Sequence, residues 1–288
     1  MRLFRSDEEA MAYRSASVGA LVSRAFPRSS THLVQLIADC TTLLCVLDDR
    51  AEALPSPRAV AAYLAPLLDV CDGPREAVHR EHVLPAAIAL ADVLRRAAVM
   101  GSRRAVRRVV VGLEEIFSAY AAEAYEREAH TPPDLETYVQ RRRVTIGLRP
   151  LFALWELELG AELPEEVRAH PGLARMAART CNVVGWTNDL FTCAKELKSG
   201  EVQNLVIVLM AQEGLSYGEA VERAVAMHDA EVHGFVQDSR ALPSLGSSFD
   251  ASLGRYVDML GSCMRGHLSW AHETSRYSGD TPASTLSA

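Results

Sequence analysis

The 288-residue chain is long enough for one large domain or two small ones, and its 49% hydrophobic content supports a substantial core. A formal net charge of −7 argues against nucleic acid as a partner. The opening stretch MRLFRSDEEAMAYR has no apolar signal core, and no uninterrupted apolar run reaches the length of a membrane span. Six cysteines (40, 45, 71, 181, 193 and 263) form no CxxC pair and sit mostly in apolar helical runs, as expected of reduced core residues in a cytoplasmic protein.

In chain order, apolar periodicity predicts helices over 31–54, 57–72, 79–100, 102–130, 134–160, 172–200, 202–213, 217–240 and 247–276. Breaks fall at Pro55-Ser56-Pro57, Asp72-Gly73-Pro74, Thr131-Pro132-Pro133, Leu163-Pro164, Gly214 and Leu242-Pro243. No strand-turn-strand alternation, repeat or internal linker interrupts the pattern. The expected architecture is all-α: one domain of packed helices over 1–277 with a cavity between them, followed by a mobile Ser/Thr/Pro-rich tail, 278–288.

Two polar clusters stand out against this apolar background. Asp48-Asp49-Arg50-Ala51-Glu52 follows the run Leu43-Leu44-Cys45-Val46-Leu47 directly. Asp48 and Glu52 are four residues apart with Asp49 beside them, so the acids repel one another and a bound cation would relieve the repulsion. A solvated helix end is the bland alternative for such a triplet, but an apolar run leading straight into it argues for a buried role. The second cluster is Asn188-Asp189-Leu190-Phe191-Thr192-Cys193-Ala194-Lys195-Glu196. Asn188, Thr192 and Glu196 drift only about 80° around a helix while rising roughly 12 Å, so an amide oxygen, a hydroxyl and a carboxylate line one stripe. Hard oxygen ligands of this kind suit Mg²⁺ rather than zinc or copper. The set carries too little charge to hold a metal alone, so a ligand phosphate should complete the shell, with Lys195 nearby as its counter-charge.

On these residues the chain resembles the bacterial class I terpene synthases (terpene cyclases). Asp48-Asp49-x-x-Glu52 resembles the family's aspartate-rich motif, and Asn188-Asp189-x-x-Thr192-x-x-x-Glu196 its second metal motif, with Lys195 before the last ligand. Trp270-Ala-His-Glu-Thr274-Ser-Arg276-Tyr277 resembles its Arg-Tyr diphosphate pair. Tyr138-x-x-x-Arg142-Arg143-x-Thr145-x-Gly147 resembles the segment carrying its diphosphate-sensing arginine, and Arg142 stands 46 residues before Asn188. Gly200-Glu201-Val202-Gln203-Asn204-Leu205-Val206 is also typical.

The resemblance implies the class I terpene synthase fold and three Mg²⁺ ions bound together with a substrate diphosphate. The metal ligands would be Asp48, Asp49, Glu52, Asn188, Thr192 and Glu196, while Arg142, Lys195, Arg276 and Tyr277 would hold the diphosphate. The implied reaction is departure of diphosphate from a prenyl chain, then cyclisation of the carbocation in a water-free aliphatic pocket and loss of a proton. Thr145, Ile146 and Gly147 occupy the segment that responds to the diphosphate through a kinked helix, and Gly147 suits the break. The implied partner is a small-molecule prenyl diphosphate; self-association into a homodimer is compatible with the reading.

Three departures qualify the resemblance. About 47 residues precede the aspartate-rich motif, so the family's first helix is expected to be missing, truncated or replaced. Aromatics expected near positions 40, 43 and 45 are Cys40, Leu43 and Cys45. With only 6% aromatics overall, the pocket is expected to be roomier, favouring a C20 diphosphate (geranylgeranyl or a preformed bicycle) over C15 farnesyl diphosphate, the alternative. Thr192 replaces the commoner serine, with little consequence expected.

Other features invite plainer readings. Arg103, Arg104, Arg107 and Arg108 fit a solvated stripe, His79 and His82 lack zinc-helix spacing, and Arg255-Tyr256 lacks the tryptophan context of Arg276-Tyr277. Trp186 and Phe191 fit either core packing or pocket lining. The rival functions are a prenyl-elongating transferase, which would carry a second acidic cluster around 188–196, and a non-catalytic helical binding protein.

Overall fold

Helix boundaries follow the capping chemistry of the sequence. A computed structural model describes residues 3–73, 84–158 and 163–277, and among these every regular element is helical. The helices are α1 (Asp7–Ser15), α2 (Val18–Ala25), α3 (Thr31–Glu52), α4 (Pro57–Asp72), α5 (Pro85–Met100), α6 (Arg103–Ala129) and α7 (Leu135–Thr145). They continue with α8 (Leu148–Trp155), the single turn α9 (Glu165–Arg168), α10 (Pro171–Ser199), α11 (Leu205–Glu213), α12 (Tyr217–Ala241) and α13 (Ser247–Ala271). Ser6, Ser30, Ser56, Ser102, Asp134 and Ser216 each accept a first-turn backbone N–H, and Pro57, Pro85 and Pro171 open their helices.

The differences from expectation have local causes. The stretch predicted as one helix over 134–160 breaks after Thr145, because Gly147 adopts φ 77°, and resumes as α8 and a 3₁₀ turn, Glu156–Glu158. The helix predicted from 202 begins at Leu205, because the Asn204 side chain caps Val206 N–H. The helix predicted to 276 ends at Ala271, and Ser275–Tyr277 forms a separate 3₁₀ turn. The N-terminal stretch carries two short helices, α1 and α2. The expected tail (278–288), His79 and His82 lie outside the described residues.

Two long helices organise the packing. α10 lies against α7, α11, α12 and α13, and α3 lies against α2, α5, α6 and α8. α3 is the one described helix long and apolar enough to cross a membrane, yet Leu33, Leu36, Ile37, Cys40, Leu43, Val46 and Leu47 are all buried in the main core. That core gathers side chains from Val18 to Cys263, and two smaller clusters flank the site. One packs Tyr138, Trp186, Leu190 and Leu205; the other packs Phe191, Trp270, Ala271 and Tyr277. Trp186 and Phe191 are therefore core residues. All six cysteines are free, five of them buried.

The remaining plain readings meet this packing directly. Arg104 and Arg107 are exposed and ion-paired to Glu165 and Glu114, as a solvated stripe requires, whereas Arg108 turns inward toward Glu156. Tyr256 packs on Trp155 and does not line the cavity that holds Tyr277.

Candidate active site

A cavity of about 610 Å³ opens between the C-terminal end of α3 and the C-terminal half of α10. All ten residues singled out from the sequence line it: Asp48, Asp49 and Glu52 from α3, Arg142 from α7, Asn188, Thr192, Lys195 and Glu196 from α10, and Arg276 and Tyr277 from the last turn. The helix registers explain this convergence. Acids in the last turn of α3 stand at the negative end of its dipole, an arrangement that a cation would stabilise. On α10 the four-residue spacing keeps the Asn188, Thr192 and Glu196 oxygens on one face.

Seven carboxyl groups face three cationic side chains here. The imbalance shows in the acids. Burial, then the neighbouring Asp49, pushes Asp48 up to about 6 against the pull of Arg142, Arg276 and the Tyr120 hydroxyl. Burial and Asp189 push Glu196 up to about 7, although Asn204 and Thr192 hydrogen-bond to it. Burial and Asp48 push Glu123 up to about 8, and burial with four acidic neighbours raises Glu52 well above the carboxylate range. The site lacks positive charge and offers hard oxygen donors, so its residues fit divalent magnesium. Among the described residues no three His, Cys, Asp or Glu side chains are grouped so as to hold a metal ion by themselves.

The two arginines are already aimed by hydrogen bonds. Arg142 donates from Nε to Asp189 Oδ1 at 3.0 Å and from Nη2 to the Asn188 amide oxygen at 2.7 Å. Asp189, 1% exposed, also accepts from the Tyr138 hydroxyl and from Leu205 N–H at 3.0 Å. The Asn188 amide N–H donates to the Tyr277 hydroxyl, and the Thr192 hydroxyl lies within hydrogen-bonding distance of the Asn188 carbonyl at 3.0 Å. Arg276 grips Asp49 with both nitrogens, at 2.6 and 3.0 Å, so both Asp49 oxygens are engaged. Phe191 and Trp270 pack against Tyr277 at 5.8 and 5.3 Å between ring centres and hold its hydroxyl over Asn188.

Several residues in or behind the cavity carried no role in the sequence reading. Asn204 is fully buried and donates to Glu196 Oε2 at 2.8 Å and to the Asp189 carbonyl at 2.9 Å, which explains the conspicuous GEVQNLV stretch. Glu123 was legible as an acid on the apolar face set by Ile116, Phe117 and Tyr120 on α6. Tyr13, whose hydroxyl donates to Asp49, had no local signal. Cys40 and Leu43 pack into the main core and do not line this cavity, whereas Cys45 lies half-buried beneath Tyr13.

Two oxygen-rich walls facing a guanidinium cluster at the mouth of an all-helical bundle define the class I isoprenoid synthase type of site. Residues 39–233 match the profile described as terpene synthase family 2, C-terminal metal binding, and the chain belongs to that family. It is therefore an enzyme, a terpene synthase, and its substrates are prenyl diphosphates. The crystal structure of linalool/nerolidol synthase from Streptomyces clavuligerus with 2-fluorogeranyl diphosphate is similar, with a TM-score of 0.84 at 25% identity over 93% of this chain and 92% of that one. A cucumene synthase structure gives a TM-score of 0.81 at 27% identity, over 92% of this chain and 89% of that one. The (+)-T-muurolol synthase of Roseiflexus castenholzii is 28% identical over 92% of this chain and 81% of its own length. Germacrene A synthase of Nostoc punctiforme is 26% identical over 89% and 80% respectively.

Proposed function

We propose that this terpene synthase ionises farnesyl diphosphate with Mg²⁺ and converts the resulting cation into a sesquiterpene. The observation that carries the proposal is that all ten predicted residues meet in one acid-rich cavity. Asp48 and Glu52 on one wall, and Asn188, Thr192 and Glu196 on the other, would hold three Mg²⁺ ions; bound there, the metal neutralises charge developing on the departing diphosphate. Arg142, Lys195, Arg276 and the Tyr277 hydroxyl would donate hydrogen bonds to its oxygens. Asp49, engaged by Arg276, serves this set better as the anchor of that guanidinium than as a metal ligand. Residues 1–277 form one catalytic domain in this reading.

The expected C20 substrate gives way to C15. Three of the relatives matched along most of the chain are named as sesquiterpene synthases, and the name of the Roseiflexus enzyme specifies farnesyl diphosphate. The physical premise for C20 also weakens, because Cys40 and Leu43 lie in the main core, where exchanging an aromatic would not enlarge the cavity described.

The test is incubation of the purified protein with Mg²⁺ and, separately, C10, C15, C20 and bicyclic labdane-type C20 diphosphates, with gas chromatography of the extracts. A Mg²⁺-dependent hydrocarbon or alcohol from farnesyl diphosphate is expected. Product from a C20 substrate alone would overturn the chain length, and no diphosphate release from any substrate would overturn catalysis.

A further inference from the structure

The N-terminal arm reaches the mouth of the cavity, where α1 places Ala12, Tyr13, Ser15 and Ala16 on its wall. The arm is held at both ends. Arg50, its side chain 9% exposed, donates to the Leu3 carbonyl at 2.7 Å and pairs with Glu9 at 3.3 Å. At the other end the Ala16 carbonyl accepts from Trp270 Nε1 at 2.7 Å and Thr274 Oγ1 at 2.9 Å, and the Ser15 and Ser275 hydroxyls lie 3.0 Å apart. The next residue, Ser17, sits in the left-handed region at φ 55°, a conformation that these tertiary contacts impose against local preference.

Tyr13 is the arm's contact with the charged groups. Its hydroxyl donates to Asp49 Oδ2, the carboxylate that grips Arg276, and its ring centre lies 6.0 Å from the Arg276 guanidinium carbon. The ring is itself stacked on Phe4 at 5.4 Å. Tyr13 thus braces the Asp49 carboxylate that holds Arg276, and fixing that long side chain beforehand lowers the entropy lost when it captures an anion. None of these contacts involves Asn188, Thr192 or Glu196.

We infer that Tyr13 is a positioning residue for diphosphate capture: it fixes Asp49 and flanks Arg276, so the N-terminal arm completes the anion site. The inference rests on the reading of this cavity as a diphosphate site. Its effect falls on diphosphate affinity and KM, whereas a purely structural residue would change only the melting temperature and the folded fraction.

The experiment is calorimetric titration of the full chain with inorganic diphosphate in saturating Mg²⁺, for the parent, Tyr13→Phe and Tyr13→Ala. Tyr13→Phe keeps the ring and loses the hydroxyl; it should weaken diphosphate binding about three- to tenfold. KM for the prenyl diphosphate should rise by the same factor, with kcat within about twofold and the melting temperature within about 2 °C. Tyr13→Ala should weaken binding about threefold further as the cation–π contact is lost. Parental affinity in Tyr13→Phe, beside a parent that binds diphosphate, overturns the inference and leaves the diphosphate site standing. A parent that binds no diphosphate removes both. A parent that binds diphosphate but turns over no prenyl substrate removes only catalysis, and the Tyr13 comparison is still decided by binding.

Discussion

Replacing Asp189 with alanine should do more damage than replacing a surface acid, because Asp189 joins three helices from the inside. Its carboxylate is 1% exposed and accepts from Arg142 Nε at 3.0 Å, Leu205 N–H at 3.0 Å and the Tyr138 hydroxyl. Removal leaves the Arg142 guanidinium, 15% exposed, without its buried counter-charge, and leaves the Leu205 amide unpaired at the start of α11. Breaking a buried pair from one side costs about 3–5 kcal/mol. Arg142 keeps the Asn188 amide oxygen at 2.7 Å and the Gly185 carbonyl at 3.4 Å, which places the loss at the lower end, about 3 kcal/mol.

For a chain of this size that corresponds to a fall in melting temperature of about 6–12 °C. Activity should fall as well, about 10- to 100-fold in kcat/KM, because the guanidinium loses its aim. Tyr138→Phe removes one donor and spares the ion pair, so it should cost only about 1 kcal/mol. Thermal unfolding by circular dichroism and steady-state kinetics on the two variants decide the matter. An Asp189→Ala protein melting within about 2 °C of the parent, with activity within about threefold, would refute the hub assigned to this carboxylate.

Asn188→Ala should lower kcat more than about 100-fold with the far-ultraviolet circular dichroism unchanged, since it removes a proposed metal ligand and the partner of Tyr277; near-normal turnover would show that the second wall is misassigned. A pH series should show the ligand-free protein losing stability as pH rises from about 4 to 8, because Asp48, Glu196 and Glu123 hold their protons to about 6, 7 and 8 when folded and release them earlier when unfolded. Mg²⁺ with diphosphate should raise the melting temperature more at pH 8 than at pH 5.5, and an equal rise at both would contradict proton release from these acids on binding. Gly266→Ala should cost about 1–3 kcal/mol in a denaturant titration, because its new methyl group would sit 2.7 Å from Ala25 N and the Arg24 carbonyl carbon, backbone atoms that cannot rotate away.

The sequence by itself determined the helical class, most helix positions and the ten residues that meet in the cavity. Helical periodicity is local, and a stripe such as Asn188, Thr192 and Glu196 needs only its own helix to form. The break at Gly147 was missed by the periodicity, which runs unbroken over 134–160, and was suggested only by the family resemblance, with glycine able to adopt the positive φ.

Tertiary structure alone decided which groups face one another. Asp49 and Arg276 are 227 residues apart in the chain, and Tyr13 reaches Asp49 from a helix that the periodicity did not announce. α1 buries no residue of its own, so it leaves no apolar stripe to read; Arg50 and the acceptor at Ala16 hold it in place. Asp189 sits in the same motif as Asn188 but is almost wholly buried, and Arg142, Tyr138 and Leu205 compensate that burial. Such compensation depends on which helices cross at that point, and a local pattern carries no record of the crossing.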